Sequence, residues 1–139
     1  MHVSFALFAD AANLSQEGKL NILGVFDAVQ VGGLPTVHRR ATLVVHLKGD
    51  QRDVGSHRLT LRWLSPTGNE LWSSHGEVHV QAPPESGVMD LPVIAAVDLP
   101  LDHPGAYAMH VVIDDGPAAT VPLHVRLPLP QVAPGTLLS

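Results

Sequence analysis

The side chains of this chain best suited to chemistry are its histidines. Nine of the 139 residues are His, and a neutral imidazole serves as a ligand of zinc and copper or as a general base. His75 and His79 have the His-x-x-x-His spacing that brings two imidazoles together on a helix. In a strand, the same spacing separates the two Cα atoms by about 13 Å. The pair therefore cannot share one ion if this segment is extended.

Metal binding between neighbouring strands is the other metal hypothesis. Four histidines have the outward parity of their predicted strands, namely His46, His79, His110 and His124. Directly opposed residues on neighbouring strands lie about 5 Å apart, close enough to share an ion. The sequence does not say which strands are neighbours, so these four are weak metal candidates. Solvated or interfacial histidines are the default, and we expect no metal or other cofactor.

Sequence motifs for catalysis are absent. The chain has no Gly-x-Ser-x-Gly elbow, no glycine-rich phosphate loop and no His-Glu-x-x-His. It also has no Cys, which excludes a thiol nucleophile and a thiolate metal site. Asp50 and Asp53 lie on either side of Arg52; they are too few for a calcium loop, and we interpret them as a hairpin tip. We expect a protein that is not an enzyme and has no catalytic residues.

The elements that must position these side chains are strands. Twelve Pro and twelve Gly divide the chain into short segments of the length typical of sandwiches and barrels. The predicted strands are 2–9, 19–31, 40–48, 56–64, 70–81, 91–99, 106–113 and 118–127. We predict an all-β fold, an immunoglobulin-like antiparallel sandwich of two sheets and about eight strands. Residues 1–127 form this domain and residues 128–139 a Pro-rich C-terminal tail.

The most specific signal for this fold lies late in the chain. Pro104 and Gly105 form a turn, and Tyr107 follows at the start of a strand. In immunoglobulin-like sandwiches, a tyrosine in this place bonds nearby backbone through its hydroxyl. Alternation in other strands places Trp63 and Trp72 in the core.

One strand has no charged residue on either face. In 106–113, the inward parity carries Tyr107 and the outward parity carries Ala106, Ala108, His110 and Val112. The segment 91–99 is similar, with an uninterrupted apolar run in its middle. A strand without a polar face is covered on both sides. We therefore predict a protein interface on Ala106, Ala108, His110 and Val112.

Charge and hydropathy limit the classes of partner. The net charge is −5 with only eight Lys and Arg, a poor match to nucleic acid. No apolar stretch approaches the roughly 20 residues of a membrane-spanning helix. The apolar run Val3 to Ala9 has no preceding Lys or Arg, unlike a signal peptide. We expect a cytoplasmic protein whose partner is another protein.

One family resemblance covers most of the chain. Gly18 to Asp27, with the sequence GKLNILGVFD, follows an apolar first strand that ends near Asp10, and Pro35 precedes the third strand. This pattern resembles an uncharacterised family of short single-domain bacterial β-sandwich proteins, a domain of unknown function. The resemblance implies a β-sandwich with no assigned activity and no functional residues to carry over. Independently, Gly24 within a β-rich segment indicates a bulge or a close backbone approach.

Together these features predict a non-catalytic structural or protein-interaction module. We expect a homo-oligomer or an accessory subunit of a larger bacterial assembly. The alternative is a ligand- or metal-binding sandwich that uses its outward-facing histidines.

Overall fold

The computed structural model describes residues 1–81 and 87–129, which form nine strands. The strands are β1 (His2–Leu14), β2 (Leu20–Phe26), β3 (Ala28–Gln30), β4 (Thr36–Asp50), β5 (Gly55–Leu64), β6 (Glu70–Val80), β7 (Val88–Leu101), β8 (Gly105–Ile113) and β9 (Ala119–Arg126). A single 3-10 turn, Gln51–Asp53, joins β4 to β5. Nothing in the described part of the chain forms a helix that could cross a membrane.

The strands form two sheets with an immunoglobulin-like order. The four-stranded sheet runs β2-β1-β4-β7 and the five-stranded sheet runs β3-β9-β8-β5-β6. In immunoglobulin domains, strands B and E are neighbours in one sheet and C, F and G in the other, which corresponds to β4 and β7 here and to β5, β8 and β9. The predicted all-β sandwich is confirmed. One strand pair departs from it, because β3 and β9 are parallel.

The predicted strand 19–31 is wrong in one respect, because it divides between the two sheets. β2 pairs with β1, whereas β3 crosses to pair with β9. The crossing is held at Asp27, whose carbonyl accepts a hydrogen bond of 2.8 Å from the His124 amide. No Pro or Gly marks this point in the sequence, so the switch raises the count from eight to nine strands.

Five connections cross between the sheets, namely β2–β3, β3–β4, β4–β5, β6–β7 and β7–β8. The turn at Asp50 to Asp53 links β4 of one sheet to β5 of the other, so its interpretation as a hairpin tip is wrong. β6 and β7 also belong to different sheets, and residues 82–86 of their connection lie outside the described residues. Of the predicted tail, Pro128 and Leu129 have no regular structure, and residues 130–139 are outside the described residues.

Aromatic rings join the two sheets in the core. Phe8 of β1 meets the ring of Trp63 of β5 edge-on at 6.1 Å, and Trp63 stacks on Tyr107 at 5.4 Å. Trp63 is fully buried, as predicted, and donates its indole N–H to the Pro100 carbonyl at 3.0 Å. The prediction differs for Trp72, which is half-buried and packs against the core cluster from outside it, and it donates to the Asp98 carbonyl at 3.0 Å.

The tyrosine corner is also confirmed. The Tyr107 hydroxyl accepts hydrogen bonds from the amides of Asp102 and His103, both at 2.9 Å. It lies 2.6 Å from a carboxylate oxygen of Asp102, to which it donates. This hydrogen bond lowers the pKa of Asp102, and burial together with the adjacent carboxylate raises the pKa of Tyr107. Tyr107 is therefore a structural anchor at the start of β8.

Candidate functional site

The best-organised polar cluster lies where the β4–β5 and β8–β9 connections meet. Asp114 and Asp115 both have positive φ, and the Gly116 amide donates to the Ile113 carbonyl at 3.0 Å. This is the type I′ geometry of a tight hairpin turn. It directs the Asp114 carboxylate to the Arg58 amide at 2.9 Å and to Nδ1 of His57. The other ring nitrogen of His57 contacts the Asp53 carbonyl.

Both ring nitrogens of His57 face acceptor oxygens, an arrangement that suits a protonated imidazole. The hydrogen bond to Asp114 raises the pKa of His57 and lowers the pKa of Asp114. An open cleft of about 550 Å³ lies beside the pair and is also lined by Ser56, His75 and Glu77. A general base needs a free nitrogen within reach of substrate. Both nitrogens of His57 are engaged in contacts that hold the turn.

The acidic residues of the β4–β5 turn are likewise occupied. The Asp53 carboxylate accepts hydrogen bonds from the Met1 ammonium group and the Asp50 amide, both at 2.8 Å. The ammonium contact lowers the pKa of Asp53. Asp50 forms an ion pair of 2.8 Å with Arg52, and its pKa is lowered mainly by this hydrogen bond. These carboxylates form a cap on the turn.

The four predicted metal candidates are dispersed. His46 is in the four-stranded sheet, with its ring stacked on Phe5 at 5.0 Å. In the five-stranded sheet His79 opposes Ser56, His110 opposes Thr120, and His124 opposes Ala106. No two of the four are opposed to each other. Across residues 1–81 and 87–129, no group of three or more His, Cys, Asp or Glu could hold a metal ion.

The predicted interface row lies on the outer face of the five-stranded sheet, among polar neighbours. His110 opposes Arg62 of β5 on one side, and Val112 opposes Thr60. Ala106 is exposed, whereas Ala108, His110 and Val112 are half-buried. The row is therefore an uncharged stripe on a mixed surface. Its role as an interface stays a prediction.

A larger uncharged surface covers the outside of the four-stranded sheet, and we call it the apolar face. Cross-strand rows of this sheet run Leu7–Val44–Ile94 and Val25–Ala9–Thr42–Ala96. The face comprises Phe5, Leu7, Ala9, Ala11, Leu23, Val25, Thr42, Val44, His46, Pro92, Ile94 and Ala96. No Asp, Glu, Lys or Arg lies within it. Charged residues bound the face at both ends: Lys48 and Asp90 at one end, and Arg40 and Asp98 at the other, where the Arg40 amide donates to the Asp98 carboxylate at 2.9 Å.

The exposed fraction of the side chains rises from the centre of the apolar face to its β2 edge. Val44 and Ala9 are fully buried at its centre, although they are outside the core cluster between the sheets. Ile94 and Phe5 are 38% and 39% exposed, and Val25 and Leu23 are 61% and 69% exposed at the β2 edge. Sequence reasoning found only one part of this face, the apolar run in β7. The available signal was that β1, β4 and β7 all carry apolar residues at both parities.

The fold and its surfaces define an immunoglobulin-like β-sandwich with an apolar face on one sheet. The chain belongs to a family described as a family of unknown function (DUF6941), whose model matches residues 4–126. This agrees with the resemblance to an uncharacterised domain family. A search of the curated proteins finds no match.

Proposed function

We propose that this protein is a non-catalytic protein-interaction module that associates with further copies of itself through the apolar face. The observation that carries the proposal is the lack of charge across the middle of that sheet, between Lys48 and Asp90 at one end and Arg40 and Asp98 at the other. An antiparallel sheet that faces water normally alternates apolar and polar residues. Here both parities are apolar over the middle residues of β1, β4 and β7, which is typical of a sheet covered on both sides.

A second copy of the chain can pack on the apolar face because no charged side chain of that face would be buried without a partner. Packing an uncharged surface against itself avoids the desolvation cost of a lone ion. The face spans four strands and about seven residues of β1, roughly 19 by 23 Å at ordinary strand spacings. An area of that size is similar to the area over which two sheets pack face to face, about 10 Å apart, in a β-sandwich.

The absence of an organised catalytic group among the described clusters supports the non-catalytic part of the proposal. His57 has both nitrogens engaged, and Asp50 and Asp53 cap a turn. We further propose that the module works in the bacterial cytoplasm, either alone or as a subunit of a larger assembly. A chain without Cys has no need of an oxidising compartment.

Two matched variants test which sheet carries the interface. Ala96→Lys places a charge on the apolar face, and Ala106→Lys places one on the outer face of the five-stranded sheet; both alanines are exposed. Mass in solution is measured by light scattering over a range of concentrations, with circular dichroism to confirm folding. We expect the wild type to exceed the 14.8 kDa of one chain, Ala96→Lys to dissociate at least tenfold more readily, and Ala106→Lys to match the wild type.

Three results would contradict this proposal. A wild type that stays at 14.8 kDa at every concentration excludes self-association. Equal behaviour of Ala96→Lys and the wild type excludes the apolar face. Dissociation caused by Ala106→Lys instead assigns the interface to the row around Ala108 and His110.

A further inference from the structure

The edge of β2 has neither Pro nor a charged residue, and its one irregularity is Gly24 at a φ of +68°. Natural sheets guard their edges with Pro, charged residues, very short strands or covering groups. β2 is the outermost strand of the four-stranded sheet, so its outer backbone groups have no strand partner in that sheet.

Every other edge carries such a guard. β7 contains Pro92 and Pro100, and indole N–H groups of Trp63 and Trp72 occupy two of its carbonyls. β6 carries Glu70 and Glu77. β3 is only three residues long, and the part of β9 that β3 leaves uncovered contains Pro122.

The β1–β2 hairpin also projects beyond its neighbour. β4 pairs with β1 only as far as Ala9, whereas β2 continues to pair with β1 as far as Leu14. Within β2, Leu23 and Val25 are the large apolar residues most exposed to solvent, at 69% and 61%. A two-stranded hairpin gains little stability by itself, so an apolar tip of this kind would gain stability from pairing with a further strand.

The charges at the two ends of β2 are self-complementary. Lys19 immediately precedes the strand and Asp27 immediately follows it. If two copies of β2 run antiparallel about a two-fold axis at Leu23, Lys19 of each copy faces Asp27 of the other. In the single chain, Lys19 has only a 3.2 Å contact with Glu17, and both side chains are more than 70% exposed. Because an exposed ion pair contributes little free energy, Lys19 can exchange Glu17 for another carboxylate at little cost.

We propose that β2 pairs with β2 of a second copy in this register, joining two four-stranded sheets into one of eight strands. The pairing brings Leu23 against its own symmetry mate and places Val25 opposite Asn21. Gly24 falls opposite Ile22 and adds no side chain there. This inference rests on the proposed self-association and specifies its geometry, since a two-fold contact uses the same patch on both copies.

Edge pairing leaves the apolar face open and doubles its width. The two contacts together then predict four copies, in which two eight-stranded sheets pack through their apolar faces. A variant that breaks only one contact leaves a dimer joined by the other. The two outcomes therefore distinguish a failure of β2 edge pairing from a failure of association through the apolar face.

Single cysteines test the register, because the chain has none of its own. A disulfide needs Cβ atoms about 4 Å apart, and directly opposed residues come close to that distance. We expect Leu23→Cys to form a covalent dimer under oxidation. Val25→Cys and Asn21→Cys alone should give at least fivefold less dimer, because each lies about 13 Å from its own symmetry mate. Mixing these two variants should restore cross-linking between them.

Thr120→Cys is the control for cross-linking by random collision. It lies at an exposed position on the outer face of the five-stranded sheet. Cross-linking of Leu23→Cys no better than Thr120→Cys overturns the edge inference. If Ala96→Lys still lowers the mass in that case, the proposed function stands without it. Equal cross-linking at Asn21, Leu23 and Val25 also overturns the register.

Charge reversal tests the end pairs independently. Lys19→Asp places two like-charged pairs in the dimer, and we expect Leu23→Cys cross-linking to begin at about tenfold higher protein concentration. Lys19→Asp combined with Asp27→Lys exchanges the charges and should restore the original concentration dependence. Failure of the double variant to recover, while it remains folded, contradicts the pairing of Lys19 with Asp27.

Discussion

At the scale of single residues, two polar anchors hold opposite ends of the five-stranded sheet. Tyr107 fixes the start of β8 through the amides of Asp102 and His103. His57 and Asp114 fix the other end, where β8 turns into β9. Tyr107 was predictable because its partners are only four and five residues away in the chain. His57 was not, since Asp114 lies 57 residues further on.

The ion pair of His57 and Asp114 predicts a definite pH dependence of stability. The pKa of His57 is raised above its ordinary 6.5, so its contribution is complete below pH 6.5 and is lost as pH rises through the raised pKa. The pKa of Asp114 is lowered below 3.8, so its contribution is lost as pH falls below that value. The pair thus stabilises the fold most between about pH 4 and pH 6.5.

His57→Gln should lower the free energy of unfolding by about 1 kcal/mol at pH 5.5, because the half-exposed Asp114 is partly screened by water. The difference from the wild type should shrink as the pH is raised toward about 9, because the wild-type imidazole loses its proton as the pH passes through its raised pKa. Urea unfolding at both pH values measures this, with His75→Gln as the control at an exposed position. An unchanged difference at pH 9 would show that the charge of His57 contributes nothing.

At the scale of elements, β2 combines a predicted feature with an unpredicted one. Gly24 was expected to mark a close backbone approach, and it has a φ of +68° with the Asp10 side chain directly over it. The division of the predicted strand at Asp27 was not expected. Its cause is long-range pairing of β3 with β9, whereas the apolar pattern from Leu20 to Val31 continues through that point.

Replacing Gly24 tests this local geometry. A Cβ at Gly24 would lie 2.3 Å from a carboxylate oxygen of Asp10, and the left-handed φ disfavours any L side chain. We expect Gly24→Ala to destabilise the protein by about 2 kcal/mol or more. Adding Asp10→Ala should recover only the part of the lost stability that comes from the clash with the Asp10 carboxylate. Thermal or urea unfolding measures this.

Gly76 provides the matched control, because it also lies in a strand and a Cβ added there would have no neighbouring atom within 4 Å. Gly76→Ala should be neutral or slightly stabilising. If Gly24→Ala were equally neutral, the close approach of Asp10 would not constrain β2.

At the scale of the whole molecule, two kinds of contact contribute to the proposed assembly. Contacts through the apolar face are hydrophobic, whereas β2 edge pairing includes the end charges of Lys19 and Asp27. Salt screens exposed ion pairs over a few ångströms at about 1 M ionic strength. The two contacts should therefore respond differently to salt.

We expect wild-type edge pairing to weaken as salt rises from about 0.05 M to about 1 M, relative to a Lys19→Gln, Asp27→Asn variant that has no end charges. The comparison removes the general effect of the −5 net charge, which salt screens in both proteins to a similar extent. Cross-linking through Leu23→Cys in the two backgrounds is the measurement. Parallel salt curves would rule out an electrostatic contribution from the strand ends.

The sequence by itself determined the all-β class, most strands, the turns and the anchoring role of Tyr107. These features depend on alternation, turn residues and hydrogen bonds over a few positions along the chain. Only the tertiary structure decided which strands are neighbours, and therefore which outward-facing residues lie side by side. The apolar face exists because β1, β4 and β7 lie side by side and place Leu7, Val44 and Ile94 in one row. Strand adjacency depends on contacts between distant segments, which local periodicity does not encode.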